Sequence, residues 1–305
     1  MKKPLILDIK GNSLDDGPGI RSVVFFKGCP LSCVWCHNPE SIKPSVEISF
    51  DPAECIDCGQ CREICPENAL SAQNPGYIDR KRCTLCFECV DPCPSGALEK
   101  VGTGMTVEDI LSRVMPDKPF FDTSGGGVTL SGGEPALYMP FTSELLKAFK
   151  ENGVHTLIET CGQFDRGSFM DMIYPYVDMI YYDIKIIDSD EHKRYCGTGN
   201  EKILSNFTEI HRTAEGDKKT VLPRTPLIPG ITDTDKNIRG IAEFLKKQNI
   251  RKAALLEYNP LWRDKCEKVG IDDPFADNTL MDSFADRSEL KRAESIFAEN
   301  GIETE

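Results

Sequence analysis

No apolar run in this 305-residue chain approaches the ~18 residues that crossing a bilayer requires, so a membrane-spanning helix is excluded. The start, Met1-Lys2-Lys3-Pro4-Leu5-Ile6-Leu7-Asp8, carries an apolar run too short for a signal peptide, which makes a cytoplasmic location the expectation. Basic residues are too few for a nucleic-acid partner: 36 stand against 49 acidic ones, and a formal charge of −13 offers phosphate no positive footprint. About half of that excess lies between Asp264 and Glu305, with 12 acidic and 5 basic residues, and is read as a solvated surface. Histidine is scarce as well, four in all; His155, His192 and His211 show no ligand spacing, and only His37 sits beside a cysteine.

Cysteine is plentiful. Fourteen are present, eleven of them between Cys29 and Cys93, and in a chain without an export signal they point to metal rather than disulfides. The organising stretch is Cys29-Pro30-Leu31-Ser32-Cys33-Val34-Trp35-Cys36, directly after the apolar run Val23-Val24-Phe25-Phe26. Thiolate is the preferred protein ligand of iron–sulfur clusters. Three local cysteines hold three irons of a four-iron cube, and the open fourth position separates a reactive metal site from a structural one. The rival readings are a zinc site completed by His37, or ordinary buried thiols; zinc sites favour paired C-x2-C half-sites, whereas the spacing here is C-x3-C-x2-C.

Two further runs follow, Cys55-x2-Cys58-x2-Cys61-x3-Cys65-Pro66 and Cys83-x2-Cys86-x2-Cys89-x3-Cys93-Pro94. They repeat one pattern 28 residues apart, with bacterial ferredoxin spacing, in which the fourth cysteine of each run ligates the other run's cluster. One four-iron cluster then takes Cys55, Cys58, Cys61 and Cys93, and the other takes Cys83, Cys86, Cys89 and Cys65. The insert, residues 49–101, is too small to build much of a core, so its clusters should hold it together. Residues 1–48 and 102–305 would form the two parts of the main domain. Cys161 is read as a buried thiol in preference to a fourth cluster ligand, and Cys196 and Cys266 as lone structural thiols.

From Thr106 the pattern alternates. Thr106-Val107-Glu108-Asp109 resembles a capping box, and Ile110, Leu111, Val114 and Met115 are spaced for one helix face. Strands are expected at 22–27, 128–130, 156–158, 179–182, 220–222 and 253–256, with helices at 143–150, 168–174, 202–213 and 236–247 between them. A last helix should run over 287–300, bounded by Asp286 and Gly301. The fold class is therefore α/β with βαβ units on a parallel sheet; six strands fit an open (β/α)6 partial barrel, and periodicity alone fits a doubly wound sheet equally. The unusual residues fall at strand ends: Cys29 after the first, Ser131-Gly132-Gly133-Glu134 after the second, Glu159-Thr160 at the third. Asp183-Ile184-Lys185 ends the fourth, Arg224 the fifth and Tyr258-Asn259 the sixth. In a β/α barrel these ends share the face that carries the active site.

The C-x3-C-x2-C loop with Trp35 before its last cysteine resembles the signature of the radical S-adenosylmethionine (radical SAM) enzymes. Asp16-Gly17-Pro18-Gly19-Ile20-Arg21, Phe25-Phe26-Lys27-Gly28-Cys29 and Cys36-His37-Asn38-Pro39-Glu40 resemble one subgroup, the glycyl radical enzyme activating enzymes. The resemblance extends to about Asn259 and favours the partial, TIM-like barrel. It implies S-adenosylmethionine as cofactor beside three [4Fe-4S] clusters, with Cys29, Cys33 and Cys36 holding the reactive one. It implies that the methionine amine and carboxylate chelate the open iron, that Ser131, Gly132, Gly133 and Glu134 contact the amine, and that Trp35 lies near the adenine. Lys185 and Arg224 would meet carboxylate or ribose oxygens, with Glu159, Thr160, Asp183 and Asn259 on the same rim. Members bind a monovalent cation through an Asp-Thr pair and the Asp of Asp-x-Lys; here the corresponding residues are Glu159, Thr160 and Asp183, with a longer carboxylate.

The implied reaction is reductive cleavage of S-adenosylmethionine to methionine and a 5′-deoxyadenosyl radical, which takes hydrogen from a glycine α-carbon of a partner glycyl radical enzyme. Flavodoxin or ferredoxin would be the electron donor and the chain a monomer; the two insert clusters would be the electron path, the alternative being that they only stabilise a docking surface. Two rivals remain at the sequence level: a radical SAM protein acting on a small molecule or another peptide, and a ferredoxin-like electron carrier without catalysis.

Overall fold

The structure is a computed structural model that describes residues 3–305. Its strands are β1 (Leu5–Ser13), β2 (Arg21–Lys27), β3 (Glu47–Phe50), β4 (Leu98–Val101), β5 (Thr103–Gly104), β6 (Gly127–Gly132), β7 (His155–Thr160), β8 (Met179–Asp183), β9 (Thr220–Pro226), β10 (Lys252–Leu256) and β11 (Glu303–Thr304). Nine form one sheet in the order β11-β10-β9-β8-β7-β6-β2-β1-β5. The six expected strands, β2 and β6 to β10, are all parallel and follow one another across the sheet in chain order. A doubly wound sheet would reverse its order at a switch point. The winding here never reverses, and the sheet ends in two edges, so the fold is an open α/β partial barrel.

The helices are α1 (Gln60–Ile64), α2 (Val107–Val114), α3 (Lys118–Ser124), α4 (Met139–Glu151), α5 (Arg166–Met172), α6 (Ser189–Cys196), α7 (Glu201–Asp217), α8 (Asp235–Lys247), α9 (Trp262–Val269) and α10 (Arg287–Glu299). Helices α4, α7 and α8 bury one stripe each: Leu145, Leu146 and Phe149; Ile203, Phe207 and Ile210; Ile238, Ile241 and Leu245. These meet the strand residues Val128, Leu130, Ile158, Ile180 and Tyr182 in the main core. Such runs are apolar along their length because both faces of a parallel sheet are covered. The Thr106 capping box is formed in both directions, and Asp286 caps α10 by accepting from the Ser288 N–H.

Several elements lie outside the sequence reading. β1 covers the free edge of β2 as an antiparallel strand, β5 and β11 extend the sheet by two residues each, and α3, α6 and α9 fill long connections. β1 reads Leu-Ile-Leu-Asp-Ile-Lys-Gly-Asn-Ser, a half-exposed edge pattern with only Ile6 and Ser13 fully buried, and gives a weaker signal than the buried strands.

β3 and β4 pair antiparallel from Glu47↔Val101 to Phe50↔Leu98, so the intervening segment leaves and returns at one place. That segment has its own small apolar cluster, with Ile48, Phe50, Leu70, Tyr77 and Ile78 among its members. Helix α9 lies against it. Arg80 donates to Lys268 O at 3.2 Å and Ile48 O at 3.0 Å, and Lys268 pairs with Asp51 at 2.5 Å. One turn earlier, Lys265 donates to His37 O and Asn38 Oδ1, both at 3.0 Å.

Candidate functional site

Three supports hold the cysteine loop. The Gly28 and Cys29 N–H groups donate to Ser41 O and Ile42 O at 2.6 and 3.0 Å, and those of Ser32 and Val34 donate to Cys196 O and Tyr195 O, both at 3.0 Å. From the neighbouring strand, the Gly133 N–H donates to Phe26 O and that of Glu134 to Gly28 O, each at 2.8 Å. The last contact explains the two glycines of Ser131-Gly132-Gly133-Glu134. A Cβ on Gly133 would lie 2.2 Å from Gly28 O, and Gly132, at φ +102°, would place one 2.4 Å from Phe26 N. Both positions need glycine so that the ends of β6 and β2 can touch.

Cys29, Cys33 and Cys36 are half-buried, with Cys29 against Cys161 and Cys33 against Cys196. Among the described residues, no three His, Cys, Asp or Glu side chains converge on a position for one metal ion. His37 does not join the thiols. Its ring packs against Tyr258 at 6.1 Å and its Nε2 is buried without a hydrogen-bond partner among the described residues. Burial, aided by the Lys265 ammonium, pushes its pKa down to about 4, so the imidazole is neutral. Trp35 is only 3% exposed and packs with Tyr195, Ile186 and Trp262 in a second apolar cluster. Its ring is part of the floor beneath the loop rather than an open platform.

The rim residues of four successive strands form one connected chain. Ser131 Oγ donates to Glu159 Oε2 at 2.6 Å, Arg224 Nη1 to Glu159 Oε1 at 2.5 Å, Arg224 Nε to Asp183 Oδ1 at 2.9 Å, and Lys185 Nζ to Asp183 Oδ2 at 2.8 Å. Tyr181, on the same strand as Asp183, lies under the Arg224 guanidinium, 4.9 Å from ring centre to Cζ. Two carboxylates and two cations balance in a largely buried place. Burial would raise the Asp183 carboxyl, but Arg224 and Lys185 outweigh it and hold it below its ordinary range. Burial likewise would lower Lys185, and Asp183 reverses the sign.

Glu134 and Thr160 stand apart from that chain. Glu134 is 0% exposed; its oxygens accept from the Ala136 N–H at 3.0 Å, the Thr160 hydroxyl at 2.9 Å and the Cys161 N–H at 2.8 Å. Burial pushes its pKa up from the ordinary carboxylate value. Thr160 therefore answers to Glu134, not to Glu159 and Asp183, and the trio expected around a cation is divided between two networks. Asn259 is half-buried beyond β10, where its side chain accepts from the Leu261 N–H at 3.3 Å. Arg21, part of the stretch that carries the resemblance, lies at the opposite end of β2 from Cys29. It is fully buried, donating to Thr129 Oγ1 and Val128 O at 2.6 Å each.

In the insert the eight cysteines divide between two cavities. Cys55, Cys58, Cys61 and Cys93 line one; Cys65, Cys83, Cys86 and Cys89 line the other. The fourth cysteine of each run thus faces the other run's first three, as the crossed pattern requires. The loops share an unusual backbone: Asp57 and Leu85, just before the second cysteine of each run, have φ of 50° and 56°, and Gly59 and Phe87, just after it, have 80° and 63°. Left-handed residues in a tight loop make backbone concavities of the kind found at iron–sulfur sites. For Leu85 and Phe87 that conformation costs about 1–3 kcal/mol each and persists only where the surroundings require it. A cluster of sulfide-bridged irons fits these donors and this backbone. Tyr77, which the sequence reading did not single out, adds its hydroxyl 3.2 Å from Cys61 Sγ.

Residues 80–245 match the radical SAM superfamily, and residues 48–71 match the 4Fe-4S binding domain. Among curated proteins, the chain is 37% identical to choline trimethylamine-lyase activating enzyme of Oleidesulfovibrio alaskensis, over 96% of this chain and 94% of that one. It is 43% identical to (2S)-3-sulfopropanediol sulfolyase activating enzyme of Bilophila wadsworthia, over 82% and 84%. With trans-4-hydroxy-L-proline dehydratase activating enzyme of Clostridioides difficile the identity is 39%, over 87% and 88%. Among solved structures, a radical SAM methyltransferase from Sphaerobacter thermophilus superposes with a TM-score of 0.55, at 13% identity, over 100% of this chain and 77% of that one, a likeness of fold alone.

Proposed function

Because the chain belongs to the radical SAM superfamily, and within it to the glycyl radical enzyme activating enzymes, we propose that Cys29, Cys33 and Cys36 hold a four-iron cluster whose fourth iron is left to S-adenosylmethionine. When bound, that pair of cofactors supplies reductive cleavage of the sulfonium, used to take one hydrogen from a glycine of a partner glycyl radical enzyme. The remaining work falls to the protein. Lys185 and Arg224 present cations to the nucleotide's carboxylate and ribose oxygens, Lys185 held in place by Asp183 and Arg224 by Glu159 and Asp183. The backbone of Ser131, Gly132 and Gly133 receives the amine, while Glu134 acts behind it by fixing Thr160 and Cys161. Trp35 supports the loop under the adenine. A monovalent cation at Glu159, Thr160 and Asp183 would compete with Arg224 for both carboxylates.

Two more [4Fe-4S] clusters are proposed for the insert, one on Cys55, Cys58, Cys61 and Cys93, the other on Cys83, Cys86, Cys89 and Cys65. They would carry electrons inward from a flavodoxin or ferredoxin. On this reading the chain divides into 1–48, 49–101 and 102–305 and works as a cytoplasmic monomer. The relatives are named for several different partners at comparable identity, and none of them singles out this chain's own.

The observation that carries the reading is the continuous chain from Ser131 to Lys185 across the strand ends beside the cysteine loop. Its test is an anaerobic assay of the iron-loaded protein with dithionite and S-adenosylmethionine. We expect 5′-deoxyadenosine, and a glycine-centred doublet in electron paramagnetic resonance (EPR) when the cognate enzyme is added. Formation of neither product by protein with full iron content would overturn the proposal.

A further inference from the structure

The two insert cavities share a backbone but differ in what touches their sulfurs. In the first, the Tyr77 hydroxyl lies 3.2 Å from Cys61 Sγ, and Ser95 Oγ lies 3.8 Å from Cys93 Sγ. In the second, the partner is a backbone group, the Ala69 N–H at 3.3 Å from Cys65 Sγ, and no side-chain hydroxyl bonds a cysteine there among the described residues. Tyr77 is fixed in place: its ring is 8% exposed and stacked on Phe50 with 4.2 Å between centroids and 13° between planes. A cluster-bound thiolate carries no proton, so in the loaded protein the phenol must be the donor.

Resting on the cluster assignment above, we propose that Tyr77 is a tuning residue that sets the two insert clusters at different reduction potentials. Reduction adds negative charge that spreads onto the cysteine sulfurs, and a hydrogen bond donated to one of them stabilises the reduced form more than the oxidised one. The cluster on Cys55, Cys58, Cys61 and Cys93 therefore has the higher potential, and a single electron entering the insert rests there.

The test is an equilibrium redox titration of the full iron-loaded chain followed by EPR. Wild type should show two insert midpoints. Tyr77→Phe, which keeps the ring on Phe50, should lower the higher one by about tenfold in the reduced-to-oxidised ratio, about 59 mV for one electron, and leave the lower one in place. Replacing Tyr77 with 3,5-difluorotyrosine, a stronger donor of nearly the same shape, should raise that midpoint; a merely structural disturbance would not reverse sign between the two variants. Unchanged midpoints at full iron content, equal movement of both clusters, or a fall with the fluorinated residue would overturn the tuning role alone. An iron content of about four per chain, one cube instead of three, would remove the cluster assignment and this proposal together.

Discussion

Gly133 illustrates how closely the site depends on single atoms. A Cβ there would meet Gly28 O at 2.2 Å, and because the obstacle is backbone, Gly133→Ala must part the β6 end from the cysteine loop. The variant should keep its helical circular dichroism yet lose most of the iron of one cluster, leaving eight of about twelve irons by colorimetric assay. Arg224 is a different case. Replacing it with Ala leaves Glu159 and Asp183 facing each other without their shared cation, and breaking such a largely buried pair costs about 3–5 kcal/mol, to be read from urea unfolding. Much of this was legible in the sequence. Cysteine spacing is fixed by cluster geometry, and the strand-end residues stand out because charge is rare in a buried sheet. Their partners were not legible. That Glu134 serves Thr160 and the Cys161 N–H, or that Tyr77 reaches Cys61, depends on side-chain direction, for which no spacing rule exists.

Among the elements, α9 joins the insert to the cysteine loop. Lys265 grips the loop's tail at His37 and Asn38, and Lys268, one turn on, grips Asp51 of the insert. Both lysines are partly exposed, so each contact is worth at most about 1 kcal/mol. The Lys265→Ala/Lys268→Ala variant should therefore fold normally, while amides of 37–40 and of β3 exchange hydrogen up to about fivefold faster and those of β6 to β8 stay unchanged. Uniform exchange across the chain would show that α9 does not join the two. The sequence announced the helices that carry caps and long apolar stripes, such as α2 and α8. It did not announce α6 and α9, short helices with strongly polar faces whose place is set by what they pack against.

At the scale of the whole molecule, the partial barrel and the insert differ in what holds them. The barrel has a continuous core from β1 to α10 and needs no metal to close it. The insert has a few buried apolar residues and strained loops at Leu85 and Phe87, so its stability should come from iron. Anaerobic chelation is expected to open residues 51–97 to protease within minutes while a fragment spanning 102–305 survives; simultaneous loss of both would contradict this. Periodicity left the order of the parallel strands open between a barrel and a doubly wound sheet, and only the alternation of apolar and amphipathic segments was visible. The ribbon of β3 and β4 that returns the insert to its point of departure was not, because its pairing joins residues about 50 apart in sequence.

The most direct measurement concerns the vacant corner of the first cluster. Dithionite-reduced, iron-loaded protein should change its EPR spectrum when S-adenosylmethionine is added, and Cys33→Ala should abolish the change while the signals from the insert remain. Spectra that are identical with and without the nucleotide, at full iron content, would contradict the account.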